Sequence, residues 1–357
     1  MKKIHVFVIS TILMVLVFLS SVYYRQQQNK QKNHQNNKKT IVTTTNMLYD
    51  LTQHILYDEF DKNNIPNKTS KNNQIIDSLL ELKKPMMGVG VDPHNYKPLP
   101  NHRLIILQSD LIVINGLHLE ANMEKAFQLF ISKEKTDQLL FNVGEALKDK
   151  KKKEINPEYT IIQHDGVDDP HIWFNYNLWM EAGELLKEEI KNLIKNSEAT
   201  DETKKQAKGI LETNFKKYQT NVRDDIGKAI KELQNNIPDK NKRYLVTSHD
   251  AFSYFGETTG LNIEAIQGTS TQTEASIGDI RRIAQNIKEK QIKAIFTESS
   301  MTNNTLQSLK EMVEKDGYQI KMCEGEEGLF SDSLNANLDY LQTFLHNIKI
   351  ITEELKK

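Results

Sequence analysis

Beyond about residue 40 the chain alternates short apolar runs with longer amphipathic stretches, the pattern of strands feeding helices. Thr40–Thr45 is β-branched and predicts a buried strand entering a helix at Met47–Leu56. Asn63–Asn73 reads as polar loop, Gln74–Leu82 as a short helix and Met86–Val91 as a strand. Leu104–Leu107 reads as helix, Leu111–Ile114 and Leu139–Val143 as strands, and Lys148–Lys153 as a solvated loop. A second such pattern starts near residue 243. It predicts strands at Arg243–Thr247, Leu261–Ile266, Ile292–Thr297 and Gln319–Cys323, and helices at Ile277–Lys288, Asn304–Glu314 and Asn337–Leu355.

Two helices are expected between these patterns, at Tyr176–Asn196 and Asp201–Ile237. In the second, Ala207, Ile210, Leu211, Phe215, Tyr218, Val222, Ile226, Ile230, Leu233 and Ile237 recur in steps of mostly three and four, which makes one apolar face. At 1.5 Å per residue such a helix is about 50 Å long. A dimerising coiled coil is the alternative, but another α/β pattern follows at once, so a strut within a monomer fits better. The expected fold is α/β, with two (β/α) lobes carrying parallel sheets and joined by one long rigid helix. The N-terminal lobe spans 40–200, the linking helix 201–237 and the C-terminal lobe 238–357.

The N-terminus is different in kind. Met1-Lys2-Lys3 precedes an apolar run from Ile4 to about Val22, so residues 1–24 read as a signal peptide or an uncleaved membrane anchor. Residues 25–39 contain no apolar residue after Arg25 and read as a disordered polar tether. Arg25, Lys30, Lys32, Lys38 and Lys39 place more positive charge after the run than before it, which alone would put the body in the cytoplasm. The chemistry below favours export, to the outer face of the cytoplasmic membrane or as a secreted or periplasmic protein.

Lys and Arg number 47 against 48 Asp and Glu, so no basic surface for nucleic acid is implied. Cys323 is the one cysteine in the 357 residues, which rules out an intrachain disulfide, a thiolate cluster and a lipid-bearing cysteine near the start.

The chemistry gathers at a repeated triplet, Asp92-Pro93-His94 and Asp169-Pro170-His171. With 8 Pro and 10 His in the chain, chance supplies far fewer than one such triplet. Proline stiffens the turn and extends the preceding Asp, so the imidazole leaves in a set direction as a ligand for a first-row divalent metal. His249 follows a predicted strand of the second lobe, and Asp332 lies in a loop near its end. His94, His171, His249 and Asp332 together form a complete shell for zinc or manganese. Asp92, Asp169 and Glu298 are candidates for orienting the imidazoles, with Glu298 equally readable as a helix N-terminal partner. Trp173, Phe252, Tyr254 and Phe255 are expected around the cleft or in plain core. His118 reads as structural, and His164 is the one further candidate to touch metal.

With these residues in view, the chain resembles the metal-binding proteins of ABC importers for manganese and zinc, also described as metal-binding adhesin-like lipoproteins. The resemblance rests on GVGVDPHNY (88–96), SDLIVINGLHLE (109–120), DPHIW (169–173), YLVTSHDAFSYFGETTGL (244–261), QGTSTQTEASIGDI (267–280), AIFTESS (294–300) and LFSDSL (329–334), in the family's order over nearly all of residues 40–357. It implies that the same four residues bind the ion in a cleft between the lobes, and that closure about the stiff helix is small. It also implies an extracytoplasmic receptor that delivers a divalent metal to the membrane subunits of an ABC permease. Zinc is favoured slightly over manganese because His249 stands where a Glu is common, and iron(II) is a third candidate. Two departures stand out. The Glu59–Lys84 stretch lacks the family's strand-rich passage, and the lipid-bearing cysteine is missing, which leaves the apolar run as the only membrane attachment. The alternatives are a zinc hydrolase using the same shell and an adhesin that uses the fold as a scaffold.

Overall fold

The computed structural model describes residues 38–134, 139–153 and 160–357; the apolar run and most of the expected tether lie outside them. Among the described residues no helix is long and apolar enough to cross a membrane.

In the first half β1 (Lys39–Thr43) leads into α1 (Asn46–Leu56), which is capped by Thr45 accepting from the Leu48 amide. Next, α2 (Lys71–Leu79) runs straight into β2 (Leu80–Leu82), α3 (His102–Gln108) precedes β3 (Leu111–Ile114), and α4 (Ala121–Glu134) precedes β4 (Leu139–Asn142) and α5 (Val143–Lys153). The four strands form one parallel sheet in the order β2-β1-β3-β4. The central strand β3 is apolar throughout because both faces are covered, and the apolar side chains of β1 and β3 alternate between two cores. Ile41, Leu111 and Val113 face the large core beneath the long helices, while Val42, Ile112 and Ile114 pack with Met87, Ile106 and Phe127 on the other face.

Three expectations are corrected here. The helix expected at Gln74–Leu82 ends at Leu79, and Leu80–Leu82 becomes the edge strand, since nothing punctuates the passage from helix to strand. Met86–Val91 is not a strand. The Met86 and Met87 amides still donate to the carbonyls of Thr43 and Thr44, but Gly90, at φ +73°, then turns the chain away. Lys148–Lys153 belongs to α5 rather than a loop, because lysine is a good helix former and the run continues from the buried Val143 and Leu147.

A short hairpin follows, β5 (Gln163–His164) and β6 (Val167–Asp168), turning through Asp165 and Gly166, both at positive φ. Then come α6 (Tyr176–Lys195) and α7 (Asp201–Asn236). At 36 residues α7 is about 54 Å long, and its predicted stripe from Ala207 to Leu233 is buried. That stripe packs on α1, α2 and α6.

In the second half β7 (Tyr244–His249) and β8 (Asn262–Gln267) flank α8 (Ser253–Thr259) and pair in parallel. After α9 (Ile277–Lys290), β9 (Ala294–Phe296) and β10 (Lys321–Cys323) form a second parallel pair around α10 (Asn304–Lys315), with β9 lying beside β7. The chain closes with α11 (Tyr340–Leu355), which packs back on α7 and α1. The long helix therefore touches elements of both halves, as a strut must. The halves also share core: Phe174, from the first, packs on Phe252, Phe255 and Phe344 of the second. The fold is the expected α/β arrangement of parallel sheets joined by one long helix.

Candidate metal centre

Each Asp-Pro-His triplet works as a turn. Asp92 Oδ1 accepts from the His94 amide at 2.9 Å, and Asp169 Oδ1 accepts from the His171 amide at 2.9 Å. The second carboxylate does more, because its Oδ1 also lies 2.7 Å from His171 Nδ1 and so directs Nε2 inward. His249 ends β7, with Nδ1 2.7 Å from Glu298 Oε2. The other Glu298 oxygen accepts from the Ser248 and His249 amides at 2.8 and 3.0 Å, so one carboxylate fixes both backbone and ring. Glu298 is thus an orienting residue of the second half.

Asp332 sits in the loop after Leu329, which is stitched to the first half on both sides. Trp173 Nε1 donates to the Ser331 carbonyl at 3.0 Å, while Asn46 Nδ2 and the Gly90 amide donate to Ser333 Oγ at 2.9 and 2.8 Å. These bonds carry the carboxylate into the cleft. Sequence reasoning did not find Asn46, which reads only as the start of a helix. Nor did it find the bridging role of Tyr254, whose hydroxyl accepts from the Ile162 amide and donates to the Asp169 carbonyl.

His94, His171, His249 and Asp332 converge, with one potential donor atom from each inside a 4.8 Å group, and all four are at most 2% exposed. His94 Nε2 lies 3.3 Å from His171 Nε2. The two oxygens of Asp332 divide between the imidazoles: Oδ1 is 3.3 Å from His171 Nε2, and Oδ2 is 3.2 Å from His249 Nε2 and 3.9 Å from His94 Nε2. Bonds of about 2.0–2.1 Å from a central ion would set tetrahedral edges of roughly 3.3–3.4 Å. Three of the observed spacings are close to that and the His94–Asp332 pair, at 3.9 Å, is wider, while neither Asp332 oxygen has a hydrogen-bond donor among the described residues.

The electrostatics agree. Burial pushes His94 down to about 4, despite Asp332. Burial also opposes charge on His171, but Asp169 and Asp332 outweigh it and raise the group to about 9. His249 is raised well above its usual range because Glu298 and Asp332 overcome its burial. Asp332 is held well below the carboxylate range, against its burial, by His249 and His171. Three buried acids around three imidazoles make a basin for positive charge.

The other candidates fall outside. His164 Nε2 is 3.4 Å from Asp169 Oδ2 and 3.7 Å from Asp250 Oδ2, one step behind His171. His118 is exposed in a loop at φ +66°. Trp173 packs edge-on against His171 with centroids 5.3 Å apart, and Phe252, Tyr254 and Phe255 are fully buried.

A family model described as zinc-uptake complex component A, periplasmic (ZnuA), matches residues 41–355. The chain belongs to the ZnuA family. Its relatives include the manganese-binding lipoprotein MntA of Bacillus subtilis, 30% identical over 278 residues, which cover 76% of this chain and 81% of that one. The zinc-binding protein TroA of Treponema pallidum is also 30% identical, over 280 residues, covering 77% and 82%. The solved structure of periplasmic TroA superposes on this ZnuA-family chain with a TM-score of 0.68 at 26% identity, covering 89% of this chain and 99% of that one.

Proposed function

We propose that this protein is an extracytoplasmic receptor that captures one divalent transition-metal ion between His94, His171, His249 and Asp332 and hands it to an ABC-type permease. One observation carries the reading: four buried donor groups from both halves of the fold converge within 4.8 Å of one another. Membership of a family described as a zinc-uptake component supports transport, and the names of MntA and TroA support metal binding. A hydrolytic zinc site keeps an open position for water. Here Asp332 turns both oxygens to the imidazoles, which fills the shell with protein. Release then requires that the halves separate, because His94 and His171 come from one and His249 and Asp332 from the other.

Three nitrogens favour zinc on intrinsic affinity, with manganese the second candidate and iron(II) the third. Attachment is through the N-terminal apolar segment, and the receptor acts as a monomer. The direct test is calorimetry with zinc and manganese on the metal-free protein and on His171→Ala. One ion per chain is expected, with affinity reduced at least about a hundred-fold in the variant. Unchanged affinity in His171→Ala would overturn the assignment.

A further inference from the structure

The three imidazoles are not held alike. His171 and His249 each have a carboxylate within 2.7 Å of Nδ1. His94 is located instead through its backbone, and part of that support comes from across the cleft. The His94 carbonyl accepts from Asn122 Nδ2 of its own half at 3.2 Å and from Gln272 Nε2 of the other half at 2.7 Å. Beside it, Thr271 Oγ1 donates to Asp92 Oδ2 at 2.7 Å, the carboxylate whose other oxygen holds the His94 amide. Asn95 Nδ2 donates to Thr271 Oγ1 at 2.9 Å. All of these cross-cleft bonds involve one loop, residues 268–276, and join it to His94 itself or to residues within two of it.

This contact lies at the solvent edge. Asn95 and Gln272 are exposed and Thr271 is 9% exposed, while His94 just behind them is 2% exposed. A cleft of about 480 Å³, lined by Asp92, Asn95, Thr271, Glu274 and Met301 among others, opens on the outer side of the latch. Asn46 and the exposed Gly90 amide tie the halves at Ser333, beside Asp332, and a further set of ties is of another kind. Tyr254, Tyr340 and Trp173 are fully or nearly buried and bond to main-chain carbonyls within the shared core. Polar bonds at the edge exchange readily with water, whereas those in the core do not.

We propose that Thr271 and Gln272 form a latch that positions His94 and sets the rate at which the bound metal leaves. This rests on the metal-receptor reading above. Thr271 and Gln272 are positioning residues, since they act on the ion only through the Asp92-Pro93-His94 turn. Loss of the latch raises the off-rate while the four ligands still complete the shell.

The experiment uses the whole protein loaded with zinc and mixed with a fluorescent chelator in a stopped-flow instrument. Thr271→Val keeps the shape and removes the hydroxyl, Gln272→Ala removes the amide, and Thr271→Ser keeps the hydroxyl. The Val and Ala changes combined are expected to speed release about ten-fold, since two to three hydrogen bonds are lost. Stoichiometry should stay at one ion, and the visible spectrum of the cobalt(II)-loaded form should be unchanged. Thr271→Ser should release at the parent rate. Release within two-fold of the parent in the double variant, or equally fast release from Thr271→Ser, overturns the latch and leaves the receptor reading intact. A parent protein that binds no metal overturns both.

Discussion

Glu298 grips His249 from behind, with one oxygen on the backbone amide at 3.0 Å and the other 2.7 Å from ring Nδ1. The two residues lie 49 positions apart, His249 at the end of β7 and Glu298 just past the end of the neighbouring β9, so the ring direction is set by the sheet rather than by the local turn. Replacing Glu298 with Gln keeps an acceptor for the amides but sets an NH₂ or a weaker acceptor against Nδ1. Metal affinity should fall about ten- to hundred-fold with little loss of fold, as read by chelator competition and circular dichroism.

Metal capture should expel protons. In the metal-free cluster His171 is raised to about 9 and His249 well above its usual range, so both carry protons at neutral pH. Coordination needs both neutral. Apparent affinity should therefore rise with pH from neutrality, and less steeply beyond about 9, where His171 loses its proton unaided. Calorimetry in buffers of different ionisation enthalpy should report on the order of one to two protons released per ion at pH 7. Zero protons released would contradict the charged pair.

Acid should loosen the packing of α1 on α7 through His54. This ring stacks on Tyr218 of α7 with centroids 4.2 Å apart, and burial pushes its pKa down to about 4. The unfolded chain takes up that proton near 6.5, so the contribution of neutral His54 is complete above that pH and is lost as the pH falls towards 4. Asp50, 3.7 Å away, is raised by burial and acts in the opposite sense as the pH falls. His54→Phe isolates the histidine. Its stability should fall less between pH 6.5 and 4.5 than that of the parent, by up to about 1.4 kcal/mol per pH unit, in chemical denaturation.

The strut can be strengthened without touching the site. Gly209 and Gly227 lie within α7, and a Cβ at either would meet nothing within 4 Å. Alanine there should add about 0.5–1 kcal/mol each, visible as a melting temperature higher by a few degrees. Metal affinity should not change.

How much of this was legible in the sequence depends on how local the cause is. The buried strand Leu111–Ile114 and the stripe along α7 are written in the period of their apolar residues. The repeated triplet announces its own chemistry, because Asp92 and Asp169 reach only two residues along the chain to cap His94 and His171. Leu80–Leu82 is only three residues long, too short for any period to mark it as a strand. The joint use of Asp332 by His171 and His249 was out of reach, as were the bonds of Asn46 to Ser333 and of Gln272 to His94. Each joins residues more than 80 positions apart. Nothing in a polar loop such as 268–276 says what it will face.

Trp173 gives the molecule an intrinsic fluorophore at its seam. Its indole N–H bonds to Ser331 of the opposite half, its ring abuts His171, and its carbonyl accepts from Tyr340. The chain's other tryptophan, Trp179, is fully buried, with its ring 6.0 Å from that of Tyr340. Opening the cleft breaks the first of these bonds and admits water to the Trp173 ring. A red shift in emission on stripping the ion, reversed on reloading, would let the unlabelled protein report its own state in real time.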